Sequence, residues 1–466
     1  MFTNHQLQKW RKKNLYYYQD LEDFCKFWVQ PHTNVLEVGS GLGDLLNAVN
    51  PSYGLGIDLN SLVVEGARDK YGHLDFEVID AEDEEFLSYK SFDYVLMANT
   101  ISYISDIQKV FNNLHKVSRA STRVILTFQN PGWELILKLA TLLNLRMPVS
   151  PLNWLSLEDV ENLFDLTNFE VIQHGKRCIF PKNIFLISSF LNKFIAPLPF
   201  FNQFCLTEYI IARPHPDTNE SQENLRELTC TVVIPARNES GNIESCITRM
   251  PKLGKHTEII FIEGHSKDDT WEEIQRVRAK YQDQWDIKIC QQTGRGKGNA
   301  VREGFALAKG DILIILDSDL TVRPEDLVYF FNAIASGHCE FANGCRLIYP
   351  VSEDTMPHLN RMANRFFAWL LSYLLNTKIK DSLCGTKALK RTHYEMIAKN
   401  RYYFGDFDPF GDFDLLFGST KLGLQIQDIP VRYMPRTYGQ SNIQHIKEGF
   451  ILFKMCLYAA KKLKFI

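Results

Sequence analysis

Asn34-Val-Leu-Glu-Val-Gly-Ser-Gly-Leu-Gly43 is a short apolar run that stops in glycines at alternate positions. The run suits a buried strand, and the glycines permit a tight turn into a helix with a ligand lying against bare backbone. Comparable runs follow at Tyr53–Asp58, Leu74–Asp80, Phe92–Ala98 and Arg123–Thr127, with a helical pattern at Ile107–Val117 between the last two. Strands alternating with helices predict a parallel sheet covered on both faces. The second half repeats the alternation with Cys230–Pro235, Glu258–Glu263, Asp286–Gln291 and Asp311–Asp317. The expected fold class is therefore α/β, with two doubly wound domains in tandem.

Length and composition agree. The chain has 466 residues, more than one domain of about 150 holds. With 45% hydrophobic and 23% charged residues it has globular composition, which excludes a disordered, collagenous or disulfide-scaffold chain. The net charge of −3, from 52 basic and 55 acidic side chains, gives no support to nucleic acid as a partner. The polar stretch Pro214–Glu227 has two prolines and Leu225 as its one large apolar residue, so it reads as a linker. The expected division is a domain over 1–213, a linker over 214–228 and a domain over 229–466. Ten scattered cysteines without paired spacing read as thiols in a reducing compartment. Met1–Lys13 lacks the apolar core of a secretory signal, and no stretch has the ~18 uninterrupted apolar residues of a spanning helix. The expectation is a cytoplasmic protein, with the cytoplasmic membrane face as a peripheral location.

The spacing of Gly39, Gly41 and Gly43 differs from the Gly-x-Gly-x-x-Gly of dinucleotide sites. Glu37 beside the turn would repel a pyrophosphate and attract a cationic ligand. These residues resemble the class I S-adenosylmethionine-dependent methyltransferases, whose first motif reads acid-x-Gly-x-Gly-x-Gly. Gly54-Leu-Gly-Ile-Asp58, Ile79-Asp-Ala81 and Phe92-Asp-Tyr-Val-Leu-Met-Ala-Asn99 match the family's next strand ends, over about residues 20 to 213. The resemblance implies a Rossmann-like fold that holds S-adenosylmethionine through Glu37, Gly39, Ser40, Gly41 and Gly43. It further implies Asp58 and Leu59 at the ribose, Asp80 and Ala81 at the adenine, and Asn99 at the fourth strand end. Candidates for a base at the methyl acceptor are His115, His174 and Asp106, unranked. Trp133–Asn144 reads as an inserted apolar helix and Ile184–Leu206 as a Pro-broken oily hairpin. Each can cap a substrate pocket, lie in a membrane interface or belong to the core.

In the second half, Thr231-Val-Val-Ile-Pro-Ala-Arg-Asn-Glu239 is a strand ending in a polar loop. Glu263-Gly-His-Ser-Lys-Asp-Asp-Thr270, Gly294-Arg-Gly-Lys-Gly298 and Gly310-Asp-Ile-Leu-Ile-Ile-Leu-Asp-Ser-Asp319 follow. Two carboxylates one residue apart after an apolar strand suit Mg²⁺ or Mn²⁺ bridging a diphosphate. The set, in this order over about residues 229 to 445, resembles family 2 of the inverting glycosyltransferases, with a GT-A fold and a nucleotide-diphosphate sugar donor. Within it the set is most similar to dolichol-phosphate mannosyltransferases and related polyprenyl-phosphate enzymes. The resemblance implies Pro235, Ala236, Arg237, Glu239, Glu263, Lys297, Asp317 and Ser318 at the nucleotide sugar, with Lys297 neutralising diphosphate charge. Asp317 and Asp319 would hold the metal. Glu263-Gly264 stands where the family has an Asp-Asp pair, and Thr321 where the mannosyltransferases carry Gln.

On the acceptor side, Arg346, Lys387 and Arg436 are expected to grip phosphate, with Ser441 in the closing segment Arg436-Thr-Tyr-Gly-Gln-Ser-Asn442. Asp412 and Asp414 lie where many members place a base. A sugar hydroxyl needs such a base and an ionised lipid phosphate does not, so polyprenyl phosphate and glycan acceptors both stay open, with lipid phosphate favoured. Phe450–Ile466 carries Lys454, Lys461, Lys462 and Lys464 and no acid; it suits an anionic bilayer or docking on its own domain. The combined expectation is a bifunctional enzyme, a methyltransferase fused to a glycosyltransferase. The alternative is that only the glycosyltransferase is active and the first domain is a binding or membrane-recruitment module.

Overall fold

Alternate side chains of a strand point to opposite faces, so a sheet with two covered faces buries nearly continuous apolar runs. Thr257–Glu263 is buried along its whole length: Ile259 and Phe261 enter one core, Ile260 and Ile262 the other. Val95 and Met97 likewise separate from Tyr94 and Leu96 in the first half. The computed structural model describes residues 4–83, 90–148, 153–350, 355–403, 411–439 and 445–465, without the side chains of 218–222 and 445–448. The chain forms two compact units, Met1–His215 with Phe465–Ile466, and Pro216–Lys464.

The first unit holds β1 (Asn34–Val38), β2 (Tyr53–Asp58), β3 (Asp75–Val78), β4 (Tyr94–Ala98), β5 (Arg123–Gln129), β6 (Phe169–Arg177) and β7 (Thr207–Pro214) in the order β3-β2-β1-β4-β5-β7-β6. The five strands from β3 to β5 are parallel. β7 runs antiparallel to both β5 and β6, which refines the expected all-parallel sheet. The apolar stretch around 184–206 is the connection that turns the chain back into β7. It consists of the short helices Ile187–Phe190 and Pro199–Asn202 with a π-turn at Leu191–Ile195 between them.

The second unit has β8 (Cys230–Ala236), β9 (Thr257–Glu263), β10 (Asp286–Gln291), β11 (Ile312–Ile315), β12 (Phe341–Cys345), β13 (Lys387–Lys390) and β14 (Ile426–Pro430) in the order β10-β9-β8-β11-β13-β12-β14. Here β13 is the antiparallel strand, between β11 and β12. The stretch 214–228, read as a polar linker, contains the helix Thr218–Glu227, whose Leu225 packs against the second unit's core. One large apolar side chain docks a helix that is otherwise polar. All ten cysteines are free thiols. Among the described residues no helix is long and apolar enough to cross a membrane.

Candidate active sites

In the first unit the turn after β1 is built from left-handed glycines: φ is +74° at Gly39, +53° at Gly41 and +74° at Gly43. A Cβ at Gly39 would lie 2.6 Å from Thr100, and one at Gly43 would lie 2.4 Å from the Phe76 ring. These two glycines are required by packing as well as by backbone conformation. Gly41 is different. A Cβ there would meet nothing within 4 Å, so its face is open to a ligand.

Around that open face the Asp58 carboxylate accepts the Gly41 amide at 3.0 Å and the Asn60 amide at 2.9 Å. The Ser40 hydroxyl is buried without a hydrogen-bond partner, an unmet polar group that a ligand's polar edge would satisfy. Glu37 is buried and accepts the Leu46 amide at 3.0 Å; burial pushes its carboxyl up to about 8. Asp80 accepts the Glu82 amide at 2.8 Å, and the side-chain amide of Asn113 holds the carbonyls of Ala81 and Asp83 at 2.9 and 2.8 Å. Leu59 is exposed beside Asp58. Asn99, with φ +57°, accepts the Tyr17 hydroxyl at 3.2 Å. The turn, the bare Gly41 face and the orphaned Ser40 hydroxyl fit S-adenosylmethionine.

The three candidate bases have structural partners instead. His115 contacts the Thr167 carbonyl at 2.6 Å, His174 pairs with Glu161, and Asp106 caps its helix by accepting the Lys109 amide at 2.9 Å. Sequence reading missed Tyr17 and Asn113. Tyr17 is the middle of a Tyr-Tyr-Tyr run and Asn113 the second of an Asn pair, each on a helix with no motif around it.

In the second unit the loops after β8, β10 and β11 meet at the carboxyl edge of the sheet. Lys297, the first residue of the helix Lys297–Leu307, places its ammonium 2.7 Å from Asp317 and 3.9 Å from Asp412. Burial alone would lower the lysine's pKa, but the two carboxylates outweigh it and hold Lys297 charged well above its ordinary range. Gly385 makes room for this pair. A Cβ there would lie 2.1 Å from the Lys297 nitrogen and 2.2 Å from Asp317. Gly411 packs against Gly298 in the same way, with a Cβ–Cα separation of 2.6 Å if a Cβ were present; this seats Asp412 on the Gly-Lys-Gly loop.

Asp319 accepts the Thr321 hydroxyl at 2.9 Å and the Arg436 guanidinium at 2.6 Å. The other arm of Arg436 binds Glu239 at 2.7 Å. Burial raises the Glu239 carboxyl, against the opposing pull of Arg436. Ser318 donates to the Pro235 carbonyl at 2.9 Å, tying β11's exit to the end of β8 beside Ala236. Arg237 is exposed. Asp317 and Asp319 offer hard oxygen donors, yet among the described residues no group of three or more His, Cys, Asp and Glu gathers as a metal site. Two hard carboxylate donors one residue apart fit a hard divalent ion such as Mg²⁺ or Mn²⁺.

Several expected residues stand elsewhere. Glu263 is buried and closed on its own loop, accepting the Ser266 amide at 2.6 Å and the Gln291 side chain at 3.3 Å. Asp414 pairs with Arg401 at 2.7 Å instead of joining Asp412, because residues two apart on a helix face different ways. Arg346 is closed on the fully buried Asp381 at 2.8 Å and stacks over Tyr433. Lys387 is buried, donating to Asn343 at 2.7 Å and to the Cys384 carbonyl at 3.0 Å. Both charges are spent inside the domain, so of the expected phosphate grip only Arg436 reaches the acidic cluster. Ser441 lies outside the described residues.

Comparison with known proteins agrees with this division. Residues 36–124 match the model of a methyltransferase domain, and residues 231–399 match that of glycosyl transferase family 2. A dolichol-phosphate mannosyltransferase of Pyrococcus furiosus is 27% identical over 222 residues, covering 46% of this chain and 59% of the relative. A dolichyl-phosphate beta-glucosyltransferase of Saccharomyces cerevisiae is 26% identical, covering 48% and 72%. The chain thus spans less than two thirds of the first of these relatives. Among solved structures, an S-adenosylmethionine-dependent methyltransferase of Thermotoga maritima aligns at 14% identity and TM-score 0.36, over 45% of this chain and 94% of its own. Glucosyl-3-phosphoglycerate synthase of Mycobacterium tuberculosis, solved with Mn²⁺ and UDP, aligns at 19% identity and TM-score 0.38, over 54% and 85%. A match to a methyltransferase-domain model is thus followed along the chain by a match to the glycosyl transferase family 2 model.

Proposed function

We propose that the chain is a bifunctional enzyme that transfers a hexose from a nucleotide-diphosphate sugar to a lipid phosphate and methylates a related molecule with S-adenosylmethionine. The observation that carries the first activity is the Lys297–Asp317 and Arg436–Asp319 pairing, in which two cations already occupy the carboxylates where a metal diphosphate would sit. Asp317 and Asp319 would hold Mg²⁺ or Mn²⁺, which supplies charge neutralisation of the departing diphosphate. Lys297 adds a fixed positive charge on the same side, and Arg436 exchanges its carboxylates for phosphate oxygens.

In this reading an acceptor phosphate oxygen attacks the anomeric carbon, and the carbon–oxygen bond to the diphosphate breaks. The nucleoside diphosphate leaves with the electron pair and the configuration inverts. A phosphate nucleophile needs no base, in keeping with Asp414 being tied to Arg401. Lipid as the acceptor's carrier is supported by the long helix His358–Leu375, which has no acid. It leaves Leu359, Met362, Phe366 and Trp369 exposed at steps of three and four, a single outward stripe. The helix His445–Ala459 packs against it and exposes Phe450, Phe453 and Leu457 at the same steps.

In the first unit S-adenosylmethionine supplies an electrophilic methyl group, and Gly41, Asp58 and Asp80 hold and orient it. The test is a donor screen with purified protein, Mn²⁺ or Mg²⁺, a panel of nucleotide sugars and polyprenyl phosphate. Phosphate-dependent release of nucleoside diphosphate, lost in Asp319→Ala, is expected; release that persists in Asp319→Ala overturns the assignment.

A further inference from the structure

The carboxyl edge of the first sheet, where Gly41 and Asp58 lie, also sends out two apolar excursions. β5 ends at Gln129 and leads into the helix Glu134–Leu142. β6 ends at Arg177 and the chain returns to Thr207, which pairs with both Gln129 and Arg177. Both excursions therefore leave from the edge that holds the glycine turn, and the second also returns to it. They lie side by side: the Trp133 indole donates to the Phe204 carbonyl at 2.9 Å, and Lys182 donates to the Leu145 carbonyl at 3.3 Å.

Neither excursion turns its oil inward. The helix Glu134–Leu142 buries only Leu137. Leu135, Leu139 and Leu142 form one outward face, and Leu142 is 83% exposed. On the neighbouring excursion Phe185, Leu186, Phe190 and Phe200 face solvent, with Phe185 84% exposed. A contiguous apolar surface of this kind is uncommon on a soluble unit and marks a partner.

Charge identifies the partner. The first excursion carries Arg146 and Lys138, with Glu134 as its one acid in the helix, paired to Lys138; residues 178–206 carry Lys182 and Lys193 and no acid. The helix Asn4–Lys13, joined to the first excursion through Lys13 and the Asn144 carbonyl, adds Lys9, Lys12 and Lys13 and holds no acid; its Arg11 is paired to Glu22 and Asp44. Apolar side chains that project from a rim with an excess of basic over acidic residues match the acyl and headgroup layers of an anionic bilayer.

We infer that this edge of the methyltransferase unit seats on an anionic lipid surface and takes its methyl acceptor from that surface as an amphiphile. The inference rests on the methyl-transfer reading and adds the class of acceptor. An amphiphile held by its tail in the bilayer would present its polar end beside Gly41 without leaving the lipid.

The test is hydrogen exchange on the full chain, alone and with vesicles of phosphatidylcholine or of phosphatidylcholine containing phosphatidylglycerol, with S-adenosylmethionine binding measured on the same protein by calorimetry. Amides of 134–146 and 182–206 should slow about tenfold with the anionic vesicles and little with the neutral ones. The double variant Leu142→Glu, Phe185→Glu should lose that protection while keeping its thermal midpoint and S-adenosylmethionine affinity. Unchanged exchange in both segments, at lipid levels that sediment the chain, overturns the inference. So does slowing that follows protein concentration without lipid, which would assign the face to a second copy. Protection with no S-adenosylmethionine binding would uphold the lipid surface and overturn the methyl-transfer reading instead.

Discussion

The glycine turn of the first unit and the acid–lysine cluster of the second occupy the same place in two sheets of like topology. Each follows strands ordered as third, second, first and fourth of its unit, and each sits at their carboxyl ends. The first site is built from backbone: three left-handed glycines, an open face at Gly41, and carboxylates that accept main-chain amides. The second is built from charge: Lys297 and Arg436 laid on Asp317, Asp412, Asp319 and Glu239. The sheet supplies a position, and the loops decide whether it suits a molecule read by shape or a diphosphate read by charge.

The contrast predicts different sensitivities. The largest effect is expected from Asp319→Ala, which removes the proposed metal donor and the partner of Arg436. Glycosyl transfer should fall about 10²–10³-fold, the range for losing one preorganised electrostatic contact, with S-adenosylmethionine affinity unchanged in the same preparation.

The converse variant is Gly43→Ala. A left-handed alanine costs about 1–2 kcal/mol, and its Cβ would displace the Phe76 ring. Calorimetry should show at least about tenfold weaker S-adenosylmethionine binding while donor turnover is retained.

Glu37 gives a smaller, pH-dependent effect. Its folded carboxyl is raised to about 8, whereas an ordinary Glu titrates near about 4.3. The stability that protonated Glu37 lends is complete below the lower value and is lost as pH rises through the upper one. The thermal midpoint of the first unit should decline between about pH 4.5 and about pH 8 and then flatten. Glu37→Gln should shallow that slope and leave the second unit's midpoint alone. A slope identical in both proteins would remove Glu37 as its source.

Thr321→Ala should matter least. It deletes one hydroxyl contact to Asp319, worth about 1 kcal/mol, so glycosyl transfer should drop by a few fold with no change in the first unit.

The sequence exposes what local patterning encodes. Apolar runs that stop in Gly or Asp mark β1, β2, β9 and β11, since strands buried on both faces read as continuous oil. It does not expose pairing direction: β7 reads like any other buried strand, β13 is only Lys-Ala-Leu-Lys, and the path of the chain makes both antiparallel. The carboxylates at strand ends are legible from their spacing. Whether a charge is offered or already taken is not. Arg346 and Lys387 read as phosphate ligands, but their partners Asp381 and Asn343 come from other loops and strands. Gly385 sits against Lys297 and Asp317 through a contact between loops far apart in sequence, so its need for a bare backbone has no local signature.

The central claim is that one chain carries two independent sites of opposite construction. It is tested most directly by titrating the wild-type chain, Asp319→Ala and Gly43→Ala with S-adenosylhomocysteine and with nucleoside diphosphate plus Mn²⁺ in one calorimeter series. The account predicts that wild type binds both ligands, Asp319→Ala loses only the nucleotide, and Gly43→Ala loses only S-adenosylhomocysteine. Loss of both ligands in either variant, or of neither in both, would contradict it.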